Sequence, residues 1–477
     1  MRRRQRSVPQ IIEQVTIIDA GSEGMAIAKP EQKVVFVPFG APGDIVDLKV
    51  VRRGKNFFEG EIVRFHSYSK QRVEPACSHF GICGGCKWQH LAYEHQLRYK
   101  QQIVKDNFDR IGKFPYPTIL PILGSDQPYF YRNKLEYTFS PNRWLAEGKP
   151  SENISDDALK GLGFHLPKRF DRILDIEKCH LQHDLGNEIR LFVREQAIRH
   201  GYSFYHAKKQ QGLLRNLILR NTHAGEWMLI LVISTDDQQV RDQLLPQLIK
   251  RFPQLVSVFL VINPKLNTQI SDLTHELVYG LPYLTETMPS PLIGQNDLQF
   301  RIGPKSFFQP NTKQAGKLYH TAFQWAALTA VETVYDLYCG IGTIANYLAN
   351  IAAKVIGIEY IEEAVEAARE NSRLNHIKNT EFIAGDMAEV FNRQLIERSG
   401  RPNVVITDPP RAGMHPKVIS RLIELSPEKI IYISCNPATQ ARDIALLNEK
   451  YSVQEVQPVD MFPQTHHVEN MALLSIR

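Results

Sequence analysis

Two short apolar runs joined by a helical segment most constrain what this chain can fold into. The run Val404–Thr407 ends on an aspartate and two prolines, and the run Lys429–Ser434 ends on Cys435. Residues 415–425 between them have helical apolar spacing, which is typical of a strand–helix–strand unit in a parallel sheet. Asp408 and Cys435 would then stand at the carboxyl ends of parallel strands, where open α/β sheets bind their ligands.

Cys435 has two interpretations. A thiol at a strand end can act as a nucleophile, whereas free cysteines are also among the side chains most often buried in cores. Asn436 and Pro437 follow directly and indicate a loop at this point. The loop position favours the nucleophile.

Length and charge narrow the class of protein. A chain of 477 residues is long enough for several domains and a sizeable core. No apolar run approaches the ~18 residues of a membrane span, and the basic start of the chain lacks the apolar segment of a signal peptide. We therefore expect a cytoplasmic protein without membrane contact. The formal net charge of +6 weakly favours a polyanionic partner.

Five short alternating runs between residues 14 and 65 predict a small five-stranded barrel, because glycines stand at the breaks between them. The charged residues here are mostly basic, and Phe57 and Phe58 lie among them. Such barrels bind single-stranded nucleic acid through cationic grooves and stacking aromatics. A solvated basic face on an interaction module has the same composition, so both interpretations stay open.

Three cysteines, Cys77, Cys83 and Cys86, fall within ten residues, and a Gly-Gly pair separates the last two. In a cytoplasmic chain this spacing indicates a metal centre rather than disulfides. Of the other three cysteines, Cys339 and Cys435 follow predicted strands of the C-terminal third, so Cys179 is left to complete a set of four thiolates. Zinc and a 4Fe–4S cluster both accept four thiolates, so the spacing leaves the metal open.

The sequence pattern predicts a mixed α/β region in the middle of the chain. Helices are predicted at residues 91–111 and 238–251, and strands at residues 131–139, 214–220, 227–233 and 256–262. A polar stretch at residues 147–157 is predicted to be a loop. The region contains no catalytic constellation that the sequence reveals.

A glycine turn follows in the C-terminal third. The run VYDLYCGIGT predicts a strand, a turn at Gly340 and Gly342, and then a helix. The next two strands are expected to end at Glu359 and Asp386. Such acidic strand ends beside a glycine turn suit S-adenosyl-L-methionine and NAD equally well. A carboxylate at Glu359 can accept hydrogen bonds from both hydroxyls of an adenosine ribose. Asp386 is equally well explained as a helix N-cap.

The residues around the fourth strand select the reaction. Arg411 follows Asp408-Pro409-Pro410, so the aromatic platform of methyltransferases for exocyclic amines is missing. RNA cytosine-5 methyltransferases usually carry a cysteine directly after the proline of this Asp-Pro-Pro motif, and this chain has no cysteine at that position. Methylation of uracil C5 needs a thiolate that adds to C6 and a base that later removes the C5 proton. Glu469, which begins the final strand, is the candidate base; the alternative is an exposed carboxylate paired to His467.

A series of motifs closely resembles those of RNA uracil-5 methyltransferases, in particular the 23S ribosomal RNA branch with an iron–sulfur cluster. In chain order they are CSHFGICGGCKWQHLAYEHQL, FFQPN, DLYCGIGT, GIEY, DPPRAG, ISCNP and DMFPQTHHVE. The resemblance covers nearly the whole chain. It implies a multidomain fold: an OB-like TRAM barrel at residues 6–66, an α/β central domain with the cysteines at 67–300, and a Rossmann-like methyltransferase domain at 301–477.

The resemblance also implies roles for individual residues. Cys435 would be the nucleophile and Glu469 the proton acceptor. The residues implied to contact S-adenosyl-L-methionine or to shape its pocket are Gln309, Tyr338, Glu359, Asp386 and Asp408. The residues implied to hold a 4Fe–4S cluster, with zinc as the alternative, are Cys77, Cys83, Cys86 and Cys179.

The choice of RNA depends on the barrel and the cysteine cluster. Enzymes for the tRNA T-loop often manage without either module, so we expect 23S ribosomal RNA as the substrate. We also expect the enzyme to be a monomer. A tRNA uridine is the close alternative. An alternative of a different class is a non-enzymatic RNA-binding or ribosome-assembly factor.

Overall fold

The computed structural model of the protein describes residues 10–145 and 155–477. Most of the loop predicted at residues 147–157 lies outside the described residues. Within them, no helix combines the length and the apolar character needed to cross a membrane.

The first five strands close into a barrel in the order β1-β2-β3-β5-β4, which confirms the predicted barrel. The strands are β1 (Ile11–Ala20), β2 (Met25–Ala28), β3 (Val34–Pro38), β4 (Ile45–Arg53) and β5 (Phe57–Ser67), with 3₁₀ turns at Ser22–Gly24 and Pro30–Gln32. Successive strand residues face opposite sides, so Ile17, Val35 and Leu48 fill the interior and are fully buried. Arg52 and Arg53 remain exposed on the outside.

One helix follows the barrel and the cysteine segment at residues 68–92, and it agrees with the prediction for residues 91–111. It comprises α1 (Tyr93–Asn107) and a π turn at Phe108–Gly112. Its residue Val104 packs in the same apolar core as Ile430, which lies in the last sheet of the chain. The helix therefore belongs to the C-terminal layer, although it precedes the middle sheet in the sequence.

The middle sheet has seven strands in the order β12-β11-β10-β9-β6-β7-β8. The strands are β6 (Lys134–Ser140), β7 (Gly161–Leu166), β8 (Arg169–Leu174), β9 (Leu214–Asn221), β10 (Trp227–Ile233), β11 (Leu255–Ile262) and β12 (Glu276–Gly280). The helical pieces are a 3₁₀ turn (Asp156–Leu159), α2 (Asp184–Arg199), a π turn (Val240–Leu244) and α3 (Leu245–Arg251). The strands predicted at 214–220, 227–233 and 256–262 are confirmed as β9, β10 and β11. Strand β10 is buried along its whole length, which explains its unbroken apolar sequence.

The C-terminal region contains a two-stranded hairpin and a second seven-stranded sheet, in the order β17-β16-β15-β18-β19-β21-β20. The strands are β13 (Leu284–Met288), β14 (Leu298–Ile302), β15 (Thr333–Leu337), β16 (Lys354–Glu359), β17 (Thr380–Ala384), β18 (Val404–Thr407), β19 (Lys429–Ser434), β20 (Tyr451–Val459) and β21 (Glu469–Ile476). The helices are α4 (Thr312–Ala326), α5 (Thr343–Ala349), α6 (Glu362–Leu374), α7 (Met387–Val390), α8 (Arg393–Ser399), α9 (Pro416–Leu425) and α10 (Pro437–Leu447).

The strand order of this sheet reverses between β15 and β18, which run parallel to each other. A reversal of this kind opens a crevice at the carboxyl ends of the strands, where ligands bind. The multidomain fold class is thereby confirmed: a small barrel, an α/β middle region and a Rossmann-like C-terminal domain.

Candidate active site

Asp408 and Cys435 follow neighbouring parallel strands at this crevice, as predicted. Strands β18 and β19 stay in register as far as Thr407 opposite Tyr432, so both site residues stand past the carboxyl ends of their strands. Each is half-buried. Loss of hydration raises the pKa of the Asp408 carboxyl to about 7.

The Cys435 thiol lies where β19 passes into helix α10, and it is not sealed in the core. Burial, followed by the negative charges of Glu469 and Asp408, raises the pKa of the thiol to about 11. The Arg411 guanidinium opposes this shift through its positive charge and a hydrogen bond to the thiol. The thiol is therefore mostly protonated in the free protein, with one cation placed to favour its ionised form.

Arg411 is held in place by helix α10. Asn436 Nδ2 and Thr439 Oγ1 both donate hydrogen bonds to the Arg411 carbonyl oxygen, at 3.0 and 3.2 Å. The same loop is tied down further along, where the Met414 amide donates to Asp443 Oδ2 at 2.8 Å. In the sequence, Arg411 is notable only because it stands where enzymes for exocyclic amines carry an aromatic residue. Its position beside the Cys435 thiol is evident only from the fold.

Glu469 reaches the same sheet edge from the antiparallel side. It is the first residue of β21, and its neighbour Asn470 pairs with Ser434 directly before Cys435. Only 4% of the Glu469 surface is exposed. It is therefore a buried carboxyl group beside the thiol and not a surface carboxylate.

The carboxyl groups of Glu469 and Asp408 influence each other strongly. Burial first, and then the charge of Asp408, raises the pKa of Glu469 well above its ordinary value, while Arg411 lowers it. Two carboxyls so placed do not both ionise readily, so the charge on one opposes ionisation of the other. Burial and Arg411 lower the pKa of His467 to about 4, so this ring is neutral at pH 7 and supplies no charge to Glu469.

The glycine turn after β15 forms with a left-handed backbone. The φ angles are 67° at Tyr338, 55° at Gly340 and 78° at Gly342. Glu359 is fixed next to the turn, since its carboxylate accepts hydrogen bonds from the amides of Gly340 at 3.1 Å and Ile361 at 3.0 Å. A Cβ atom at Gly340 would meet nothing within 4 Å. The turn therefore borders open space beside an oriented carboxylate, as a nucleoside site requires.

Asp336 is a site residue that the sequence analysis did not identify. It lies on β15, and neither of its buried carboxyl oxygens has a hydrogen-bond partner within the described part of the chain. Burial, followed by the charge of Asp408, raises its pKa well above the ordinary value. A buried polar group without a partner at a glycine turn marks a place for a ligand atom or a water. The signal was an aspartate inside an apolar strand, two residues before Tyr338.

The last two predicted cofactor residues, Gln309 and Asp386, lie outside the glycine turn. Gln309 is buried, and its carbonyl oxygen accepts a hydrogen bond from Asn133 Nδ2 at 2.9 Å. Asp386 lies two residues beyond β17 and caps helix α7, because its side chain accepts a hydrogen bond from the Ala388 amide at 2.8 Å. Within the protein, Asp386 is therefore the N-cap of helix α7, which was the alternative interpretation. Contact of Gln309 and Asp386 with the cofactor stays a prediction.

The four cysteines of the predicted metal centre line one cavity of about 1070 Å³, between the barrel and the β7–β8 hairpin. They are Cys77, Cys83, Cys86 and Cys179. Burial raises the pKa of Cys83 to about 11 and that of Cys86 to about 12, and neighbouring thiols add to both shifts. Among residues 10–145 and 155–477, no three or more His, Cys, Asp or Glu side chains are arranged to hold a single metal ion.

The fold and the crevice define a class of protein, enzymes whose Rossmann-like domain binds an adenosine-containing cofactor. The family model of tRNA (uracil-5-)-methyltransferases matches residues 272–477, and that of the TRAM domain matches residues 11–63. An uncharacterized RNA methyltransferase of Bacteroides thetaiotaomicron is 49% identical over 96% of this chain and 100% of its own length. One from Chlorobaculum tepidum is 37% identical over 96% of this chain and 95% of its own.

A solved structure is similar to this chain over nearly its full length. It is the Pyrococcus abyssi tRNA (uracil-54, C5)-methyltransferase in complex with S-adenosyl-L-homocysteine, with a TM-score of 0.73 and 28% identity over 96% of this chain and 100% of that one. The chain belongs to the RNA uracil-5 methyltransferase family. It is an enzyme that depends on S-adenosyl-L-methionine, and the alternative of a non-enzymatic RNA-binding factor is wrong.

Proposed function

We propose that the enzyme methylates C5 of a uridine in 23S ribosomal RNA through a covalent bond between Cys435 Sγ and C6 of the base. Glu469 removes the C5 proton. The observation that carries this proposal is the convergence of the thiol and the buried carboxyl at one sheet edge, close enough for the carboxylate charge to raise the thiol pKa.

The reaction consists of addition of a thiolate, methyl transfer and elimination. The Cys435 thiolate adds to C6, and the electrons of the C5–C6 double bond move toward C5 and the C4 carbonyl oxygen. C5 then attacks the methyl group of S-adenosyl-L-methionine, and S-adenosyl-L-homocysteine leaves. Glu469 takes the C5 proton, which restores the double bond and expels the Cys435 thiolate. Arg411 favours the thiolate form at the start and at the end of this sequence.

The interaction between the carboxyls of Asp408 and Glu469 makes Glu469 a stronger base after methyl transfer than before it. The methyl donor carries a positive sulfonium charge, and a donor bound against Asp408 would lower the pKa of both carboxyls. Methyl transfer removes that charge. The pKa of Glu469 then rises again, so its carboxylate is a stronger base when the C5 proton has to leave.

The crevice fits the methyl donor. Space is open beside Gly340, the Glu359 carboxylate is oriented by backbone amides, and Asp336 is buried without a partner in the described residues. We infer that Glu359 accepts hydrogen bonds from the ribose hydroxyls. The residues proposed to hold the donor are Gln309, Tyr338, Glu359, Asp386 and Asp408.

Trapping with RNA that contains 5-fluorouracil tests the covalent step, since a base cannot remove fluorine from C5 as it removes a proton. The wild-type enzyme should form a complex with this RNA that resists denaturation, and Cys435→Ser should form none. With natural RNA, Glu469→Gln should transfer the methyl group and stall as the same kind of adduct. Glu455→Gln on the neighbouring strand serves as the matched control and should turn over normally.

Two results would contradict the assignment. A wild-type enzyme that methylates RNA yet is never trapped would remove Cys435 as the nucleophile. Loss of methyl transfer in Glu469→Gln without any adduct would give Glu469 a binding role instead.

We also propose that Cys77, Cys83, Cys86 and Cys179 hold a 4Fe–4S cluster, which would serve structure or RNA docking. Support comes from the four thiols, which line one cavity. A single zinc ion would draw four sulfurs to within about 3.8 Å of each other, from a Zn–S distance of ~2.3 Å. Among the described residues no group of three or more His, Cys, Asp or Glu side chains is arranged to hold a metal ion, so the proposal depends on the cysteine spacing and on the shared cavity.

Anaerobic purification followed by iron, sulfide and zinc analysis tests the cluster. Near four irons and four sulfides per chain are expected, with loss of iron in Cys83→Ser. Cys435→Ser is the matched control, because it should keep its iron while losing the adduct. Stoichiometric zinc without sulfide would establish the alternative.

The barrel supports an RNA partner. Lys33 Nζ lies 4.8 Å and the Arg53 guanidinium 5.8 Å from the centre of the Phe58 ring, and the Arg52 guanidinium lies 6.0 Å from that of Phe57. Cations and aromatic rings interleaved on one surface suit a phosphate backbone with stacked bases.

A tRNA uridine is the second candidate substrate, and the comparison with the Pyrococcus abyssi enzyme favours it. That enzyme is named for a tRNA uracil and matches nearly the whole chain, barrel region included. The presence of the barrel therefore does not by itself select ribosomal RNA. Deleting the gene and mapping 5-methyluridine in both RNAs decides between them: loss at one or two 23S uridines supports the proposal, and loss from tRNA alone refutes it.

A further inference from the structure

The loop between β20 and β21, residues 460–468, ends directly at Glu469. It contains neither helix nor strand, yet Asp460 is 0% exposed and Gln464 3%. A buried segment without its own hydrogen-bond ladder must satisfy its polar groups through its neighbours. Those neighbours therefore decide where Glu469 is placed.

A buried ion pair fixes the start of this loop. Lys100 Nζ, on helix α1, lies 2.5 Å from Asp460 Oδ1, and neither side chain has any exposed surface. Lys100 Nζ also donates a hydrogen bond to the Phe462 carbonyl oxygen at 3.0 Å. The second oxygen of Asp460 accepts a hydrogen bond from the Tyr93 hydroxyl at 2.8 Å. Both oxygens of Asp460 are thus satisfied by helix α1.

The same helix holds the middle of the loop. The Gln96 side chain donates to Gln464 Oε1 and accepts from the Gln464 amide, both at 3.0 Å. The Gln464 carbonyl oxygen in turn accepts from the amides of Lys87 and Trp88, both at 3.1 Å. Helix positions three and four residues apart share one face, so Tyr93, Gln96 and Lys100 contact the loop together.

These contacts lie one residue from the catalytic strand pair. Asp460 directly follows Val459, and Val459 pairs with Glu469 across the sheet. We propose that Lys100, with Gln96, is a positioning residue for Glu469 and thereby controls proton removal from C5; this rests on the function proposed above. Without Lys100 the buried Asp460 carboxylate loses its counter-charge and moves toward water, and the strand pair carrying Glu469 shifts with it.

The test compares single steps in Lys100→Met, which keeps the length of the side chain. Trapping by 5-fluorouracil RNA should stay close to the wild-type rate, since Cys435 and the methyl donor site are untouched. Product release from natural RNA should fall by roughly 100-fold, the scale of a misplacement of about 1 Å, and the methylated adduct should accumulate. Gln96→Met should give the same pattern, so the test survives if Lys100→Met fails to fold. Gln102→Met, exposed on the same helix, should behave like the wild type.

Glu469→Gln, run in parallel, separates this inference from the proposed function. If Glu469→Gln accumulates adduct and the folded Lys100 and Gln96 variants do not, the positioning role is refuted and the mechanism stands. If Glu469→Gln itself gives no adduct, the role of Glu469 fails and the positioning role falls with it. Equal loss of trapping and release in the folded variants would show a general structural contact and would also overturn the inference.

Discussion

The ionisation of Cys435 should set the pH dependence of methyl transfer. The pKa of the thiol is raised to about 11, so about one molecule in ten thousand carries the thiolate at pH 7, and the fraction rises tenfold with each pH unit. The thiolate is the reactive form. Between pH 6.5 and 8.5 the rate of methyl transfer should therefore increase about 100-fold.

A single-turnover assay with methyl-labelled S-adenosyl-L-methionine and saturating RNA measures this rate. RNA affinity is determined at each pH so that binding is separated from chemistry, and Cys435→Ser provides the background. A rate that stays level across the range would mean that the thiol is already ionised in the complex. A rate that falls with rising pH would refute the role of the thiolate.

Three further results are expected. Arg411→Met removes the cation that lowers the pKa of Cys435, so methyl transfer should slow at pH 7.5 and the pH profile should move upward. Gly342→Ala places a Cβ 3.1 Å from Phe382 Cζ at a φ of 78°; a left-handed backbone costs an alanine ~1–2 kcal/mol, so calorimetry should show weaker binding of S-adenosyl-L-methionine. Ile431→Ala empties a fully buried core position and should lower the free energy of unfolding by about 2–5 kcal/mol in a denaturant titration.

The elements around the site could be predicted because their sequence pattern is local. Residues 404–407 and 429–434 are short apolar runs bounded by helix and turn signals, and both are strands with those bounds. Strands buried on both faces give such continuous runs. The strands at the edge of the middle sheet were not predicted, since Arg169–Leu174 and Glu276–Gly280 mix charged and apolar residues.

The site could be predicted only in part, because several of its contacts join distant positions. Lys100 and Asp460 are 360 residues apart, and no local spacing reveals that they meet. Asp336 looked like an ordinary polar residue within an apolar strand, and its significance depends on the buried carboxyls that the fold gathers around it. Long-range packing therefore contributes what the motifs leave out.

The covalent bond between Cys435 and the base during methyl transfer is the step on which the proposed mechanism depends. Its most direct test is mass spectrometry of the trapped complex after protease and nuclease digestion. We expect the peptide that contains Cys435 to carry a methylated 5-fluorouridine nucleotide. The same modification on another cysteine, or methylated RNA with an unmodified Cys435 peptide, would contradict the claim.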